Sequence, residues 1–128
     1  MILVDTSVVI DFIRTGDARL RALFVAHNAA ICGITRAEVL YGTRNAAHRP
    51  QLIAALNSFS QVAIPDVLWD EVGDNLAALR AGGVTVPFPD AVIATVAISN
   101  DIELWTRDAQ FLHIQRVLPN LRLFVEPP

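Results

Sequence analysis

The chain has 128 residues, of which 53% are hydrophobic and 18% charged, and its formal net charge is −3 at pH 7. This length fits one domain with a sizeable core, so residues 1–128 are expected to form a single domain. All ten basic residues are Arg. The absence of Lys excludes P-loop nucleotide binding and Schiff-base catalysis, because both depend on a lysine amine.

The acidic balance disfavours a protein that binds nucleic acid by bulk charge alone. The arginines still leave room for a local phosphate site, because a guanidinium group can donate two hydrogen bonds to one phosphate. The high apolar content predicts an exposed patch that binds another chain. We expect no membrane span and no signal peptide, and the single cysteine, Cys32, fits a reducing cytoplasm.

In the first part of the chain, short apolar runs alternate with amphipathic segments. The opening run ends directly at Asp5, which is typical of a strand buried on both faces. The elements predicted there, in chain order, are a strand, two helices, a strand and a helix: 1–4, 7–16, 17–28, 29–34 and 35–41.

The second part continues the alternation, and Gly and Pro residues mark its boundaries. The predicted elements, in order, are a helix, a strand, two helices, a strand, a helix and a strand: 46–59, 62–64, 66–82, 90–99, 103–106, 108–117 and 121–125. Strands alternating with helices indicate an α/β sandwich with a mostly parallel sheet. Ligands bind such sheets beyond the carboxyl ends of the strands.

Four acidic residues stand at predicted junctions between strands and helices: Asp5, Glu38, Asp90 and Asp108. Such junctions share one edge of a parallel sheet, so the carboxylates are expected to crowd together. Crowded carboxylates repel each other unless a cation lies among them. Oxygen ligands without converging His or Cys select a hard ion, Mg²⁺ or Mn²⁺. Together the four residues predict a metal site.

Each carboxylate also has an ordinary structural explanation when it is taken alone. Asp5 would cap the helix that follows it, and Thr35 with Glu38 fits the T-x-x-E capping box. Asp90 and Asp108 would stabilise the starts of two further helices. The prolines before Asp90 are not explained by a cap, because a cap does not require them.

The chain contains four spaced motifs in this order: Leu-Val-Asp5-Thr-Ser, Ile-Thr35-Arg-Ala-Glu38-Val-Leu-Tyr-Gly42, Pro89-Asp90-Ala-Val-Ile-Ala94 and Thr106-Arg-Asp108-Ala-Gln-Phe111. This pattern resembles the PIN-domain nucleases, and it is most similar to the VapC toxins of bacterial and archaeal toxin–antitoxin pairs. The resemblance implies a three-layer sandwich with a five-stranded parallel sheet. It also implies a metal-dependent endoribonuclease in which the four carboxylates are catalytic and hold Mg²⁺ or Mn²⁺.

The same resemblance implies a homodimer, an RNA substrate and an antitoxin partner, with DNA reached only through the antitoxin. Many relatives carry a further acidic residue where Gln110 stands here, which leaves the number of metal ions open. Ser7 and Thr106 are candidate hydroxyl donors to the phosphate or to the carboxylates. Arg14 and Arg107 are candidate contacts to the RNA backbone, although exposed arginines commonly contact only water.

Two other classes of function are weighed against this one. Phosphotransfer through an aspartyl-phosphate would need a second Asp where Ser7 stands, or an acidic pair beside the first strand, together with a Lys. A catalytically silent interaction module would tolerate neutral residues at the acidic positions, yet all four are acidic. Metal-ion catalysis at a phosphate does not by itself distinguish RNA from DNA as the substrate, so the preference for RNA comes from the resemblance.

Overall fold

The computed structural model describes residues 1–128 as alternating strands and helices. The strands are β1 (Ile2–Val4), β2 (Ala29–Cys32), β3 (Ser60–Val62) and β4 (Glu103–Trp105). The helices are α1 (Thr6–Thr15), α2 (Ala18–Ala26), α3 (Gly33–Gly42), α4 (Arg49–Asn57), α5 (Leu68–Ala81), α6 (Phe88–Ser99) and α7 (Gln110–Val117), with a 3₁₀ turn at Ala46–His48. All strand pairs are parallel, in the order β3-β2-β1-β4. The predicted α/β class is confirmed.

The sheet has four strands rather than the expected five. The segment predicted as a last strand forms only one parallel bridge, between Leu104 and Leu123. Strand β4 is three residues long, and on its other side all three residues pair with β1. Only Leu104 directs its backbone groups outward, donating to the Arg122 carbonyl and accepting from the Phe124 N–H, both at 2.8 Å. One outward-facing residue supports a bridge but not a ladder.

Several helices begin at residues other than those predicted. Helix α3 begins at Gly33 rather than Thr35, α6 at Phe88 rather than Asp90, and α7 at Gln110 rather than Asp108. Pro89 lies in the first turn of α6, where a missing N–H leaves no hydrogen bond unmade. The predicted helix 46–59 divides into the 3₁₀ turn and α4.

Alternate residues of the central strand β1 point to opposite faces of the sheet. Leu3 belongs to one buried cluster, which is built mainly on α5 and α6. Ile2 and Val4 belong to a second buried cluster, which includes residues of α1, α2 and α4. Both faces are therefore covered by helices, which gives three layers. None of the helices is long and apolar enough to cross a membrane.

Helix α6 is the most deeply buried helix, because every residue from Ala91 to Ala97 is buried. Replacing Ile93, which is fully buried, by Ala should lower the free energy of unfolding by roughly 2–5 kcal/mol, since the truncation leaves a cavity. Chemical denaturation measures this change. The control Leu112→Ala, at an exposed position of α7, should change it by only about 0.5 kcal/mol. Equal effects of the two substitutions would contradict this description of the core.

Candidate active site

The four candidate carboxylates lie where the parallel strands end. Asp5 directly follows β1, Glu38 lies in α3 after β2, and Asp108 lies in the loop after β4. Asp90 is the third residue of α6. The charges of the other three carboxylates all reach Asp90 and raise its pKa. The structure thus brings the four predicted residues to one edge of the sheet.

Asp5 is the most buried of the four, with 4% of its surface exposed. It stands at the N-cap position of α1, yet its side chain makes no capping hydrogen bond. Its Oδ2 accepts hydrogen bonds from the Ser7 hydroxyl at 2.8 Å and from the Thr106 hydroxyl at 2.7 Å. The capping explanation for Asp5 therefore fails, and the two predicted hydroxyl donors act on this carboxylate.

Glu38 also has a different partner from the one that a capping box requires. Helix α3 begins two residues before Thr35, with Cys32 at the N-cap, so the box does not form at the helix start. Instead the Thr6 hydroxyl donates to Glu38 Oε1 at 2.7 Å. The Thr35 hydroxyl lies 3.4 Å from that of Thr6. Thr6 is not among the residues that the sequence predicts for the site, and the only signal for it was its position between Asp5 and Ser7.

Asp90 is half-buried, and its pKa lies well above the ordinary value of an aspartate. Burial first, and then the charges of Asp5, Asp108 and Glu38, raise its pKa to about 6. The N-terminus of α6 favours a negative charge at this position, but that effect is smaller than burial and repulsion together. The neighbouring negative charges therefore disfavour ionisation of Asp90.

Asp108 is exposed, and its local hydrogen bonds match the turn explanation. Its Oδ1 accepts from the Gln110 N–H at 2.9 Å, and its own N–H donates to the Thr106 hydroxyl at 3.0 Å. One oxygen of Asp108 remains without a hydrogen bond to the protein. The Thr106 hydroxyl therefore links the two residues, because it donates to the Asp5 carboxylate and accepts from the Asp108 backbone N–H.

The two candidate arginines have different environments. Arg14 lies near the end of α1 with 74% of its side chain exposed, and it pairs with Asp11 at 3.1 Å. Arg107 lies between Thr106 and Asp108, and it forms ion pairs with Asp11 at 3.0 Å and with Glu126 at 2.7 Å. The guanidinium group of Arg107 is therefore occupied by two carboxylates of the protein.

The donor set suits a hard divalent cation, because it consists of carboxylate oxygens with hydroxyls behind them. In their present positions, however, no three of the acidic side chains form a group that would hold an ion. The carboxylates are near enough to repel each other, which contributes to the raised pKa of Asp90, but they do not converge on one point.

The sequence model of the PIN domain matches residues 2–117, and the chain therefore belongs to the PIN domain family. The four carboxylates at the edge of the sheet lie in the motifs by which this sequence resembles the family. No curated protein matches the chain significantly by sequence.

Solved structures support the assignment of the fold. A chain in the crystal structure of VapBC2 from Rickettsia felis, bound to a promoter DNA fragment, is 22% identical with a TM-score of 0.80; the match covers 97% of this chain and 98% of that one. A chain of DNA-bound VapBC from Salmonella typhimurium is 21% identical with a TM-score of 0.80, and 96% of each chain is covered. VapBC-1 from nontypeable Haemophilus influenzae is 21% identical with a TM-score of 0.77, and 97% of each chain is covered.

The raised pKa of Asp90 predicts a measurable effect on stability. The folded pKa of about 6 exceeds the ordinary value of 3.8, so the stabilisation that protonated Asp90 provides is lost as the pH rises through this range. In chelator at pH 7.5, Asp90→Asn should therefore raise the free energy of unfolding by about 1 kcal/mol, a figure reduced for its half-exposed side chain. The gain should shrink towards pH 4.

Denaturation curves at several pH values measure this effect, with Asp74→Asn on the exposed face of α5 as the matched control. The control should show no such pH-dependent gain. A loss of stability in Asp90→Asn at pH 7.5 would contradict the crowding of negative charge around this residue.

Proposed function

We propose that this chain is a metal-dependent endoribonuclease and the toxin of a toxin–antitoxin pair. The observation that carries the proposal is the placement of four carboxylates at the strand ends of a PIN fold. The raised pKa of Asp90, caused in part by the other three charges, agrees with this placement. A cluster of carboxylates destabilises the folded protein by repulsion, but it gives an enzyme the negative charge that is needed to bind a metal ion. The alternative of phosphotransfer loses its support, because the chain belongs to the PIN domain family.

Asp5 and Asp90 would hold Mg²⁺ or Mn²⁺, and Asp108 and Glu38 would complete the site directly or through water. When bound, the ion supplies Lewis-acid chemistry: it lowers the pKa of water and stabilises charge on the phosphate. Gln110 contributes no charge beside Asp108, so the chain offers fewer anionic ligands for a second ion.

The surrounding hydroxyl groups orient the carboxylates. Ser7 and Thr106 both donate to Oδ2 of Asp5, which leaves Oδ1 free to face a ligand. Thr6 fixes one oxygen of Glu38 in the same way. Such supporting hydrogen bonds restrict side-chain rotation.

The RNA substrate would approach the exposed side of the cluster, at Asp108. Of the two candidate arginines, Arg14 is free enough to reach a phosphate, since most of its side chain is exposed. Hydrolysis by water would leave a 5′-phosphate and a 3′-hydroxyl. Attack by the 2′-hydroxyl would leave a cyclic phosphate instead, so the end groups distinguish the two mechanisms.

We expect the purified chain to cleave RNA with Mg²⁺ or Mn²⁺ and to lose this activity in chelator. Asp5→Asn and Asp90→Asn should each lower the rate by at least about 100-fold, since each removes a ligand. Gel analysis of a panel of structured and single-stranded RNAs, with end-group mapping, measures both rate and products. Asp74→Asn is the matched control and should cleave normally.

Cleavage that survives chelator or both substitutions would contradict the proposal. Absence of cleavage together with absence of any metal-induced rise in the unfolding temperature would favour a silent interaction module, because a ligand that binds only the folded state must stabilise it.

The proposed partners rest on the neighbours and on exposed apolar surface. The similar chains come from complexes described as VapBC, which supports an antitoxin partner for this chain. An apolar cleft between α1, α3 and α4, lined in part by Ile13, Val39 and Leu52, would accept an apolar segment of such a protein. Contact with DNA would then be indirect, through the antitoxin. A cytoplasmic location follows from this role.

We also propose a homodimer that uses the exposed aromatic residues of α5 and α6. Trp69 and Phe88 are both exposed, and their rings are stacked with centroids 6.5 Å apart. Trp69→Glu should convert the dimer to a monomer of 14.0 kDa, since a charge would be buried at the interface. Sedimentation measures the mass, and Val25→Glu, at an exposed apolar position of α2, is the control. A wild-type monomer would contradict this proposal.

A further inference from the structure

Arg107 is held more firmly than an ordinary surface arginine. Its Nε and Nη2 donate to the two carboxylate oxygens of Glu126 at 2.7 and 3.0 Å, and its Nη1 donates to Asp11 at 3.0 Å. Only a third of its side chain is exposed. Paired hydrogen bonds of this kind fix the plane of the guanidinium group as well as its position.

Glu126 is in turn anchored to the core. Its Oε1 accepts a hydrogen bond at 2.8 Å from the indole N–H of Trp105, which is fully buried. Phe124, two residues earlier, packs on the same indole with ring centroids 4.9 Å apart. The Arg107 guanidinium and the Trp105 N–H keep the pKa of Glu126 below its usual value. Glu126 is therefore a fixed charge rather than a mobile one.

The backbone of Arg107 leads directly to the carboxylate cluster. Its N–H donates to the Ser7 hydroxyl at 3.0 Å, and that hydroxyl donates to Asp5. The residues on either side of Arg107 are Thr106, which donates to Asp5, and Asp108. A rotation of this loop would therefore disturb both hydroxyl contacts to Asp5 and move Asp108 at the same time.

We propose that Glu126 is a positioning residue for the metal site: it holds Arg107, and Arg107 fixes the 106–108 loop in which Thr106 and Asp108 lie. The proposal rests on the function proposed above, since it concerns the same carboxylates. It assigns to Arg107 a role other than contact with RNA, because two carboxylates already neutralise the guanidinium.

The pair formed by Arg122 and Asp101 lacks this connection. Arg122 pairs with Asp101 at 3.2 Å, but both side chains are more than half exposed, and Asp101 lies just before β4, at the end of that strand opposite to the carboxylates. Exposed pairs contribute little to stability, whereas residues that support metal ligands affect metal affinity strongly. Asp101→Asn is therefore a matched control for Glu126→Gln, since each removes one carboxylate charge from an arginine.

The test measures metal binding without RNA. Full-length variants are titrated with MgCl₂ or MnCl₂, and the metal concentration that gives half of the maximal rise in unfolding temperature is determined. Glu126→Gln and Arg107→Gln should each raise this concentration by roughly 10-fold or more, as loss of supporting contacts does at metal sites. Arg107→Lys should resemble Arg107→Gln, because an ammonium group cannot make the paired contacts. Asp101→Asn should match the wild type.

Several outcomes would overturn the proposal, and they are distinguishable. An unchanged metal midpoint in folded Glu126→Gln and Arg107→Gln, even with a lower unfolding temperature in chelator, would leave these residues a purely structural role. Tighter RNA binding by Glu126→Gln in chelator, with an unchanged metal midpoint, would show that Arg107 contacts RNA once released. No metal-induced rise in the wild type would overturn the proposed metal site as well.

Discussion

The structure depends on how one negative charge is accommodated at the end of its central strand. Asp5 is almost fully buried, and it follows a strand that is covered on both faces. An unpaired carboxylate there would be strongly destabilising. Two hydroxyl groups, one from α1 and one from the loop after β4, make the position tenable. The same contacts fix the junctions of two adjacent strands, so the fold and the site share their supports.

Stability and chemistry oppose each other at this edge of the sheet. Each further carboxylate at this edge makes Asp90 harder to ionise, and the resulting repulsion destabilises the folded protein. A divalent ion would reverse the sign of the interaction for all four groups at once. The excess of negative charge that raises the pKa of Asp90 is thus the same property that would attract a cation to this edge of the sheet.

The sequence predicts the α/β class and the placement of the four carboxylates at the strand ends, because both follow from local patterns and from the geometry of parallel strands. Asp5 and Asp90 could be placed without knowing any tertiary contact. The partners of these groups could not. Thr6 reaches Glu38 across 32 positions of the chain, and Glu126 reaches Arg107 across 19. A capping box at Thr35 was a reasonable local interpretation, yet α3 starts earlier, since boundaries respond to packing as well as to propensity. The expected fifth strand is reduced to a single bridge, because only Leu104 of the three-residue strand β4 directs its backbone groups outward.

The burial of α6 divides the cluster into a rigid and an adaptable half. Asp90 is carried by a helix whose following seven residues are all buried, so its backbone cannot shift without repacking the core. Asp5 is equally confined, whereas Asp108 is exposed and lies on a loop. Mg²⁺ requires near-ideal octahedral geometry at short distances and usually keeps several waters. If Asp5 and Asp90 hold the ion as proposed, adjustment to ions of different radius would fall to Asp108 and to water, while the confined Asp5 and Asp90 would limit which ions fit.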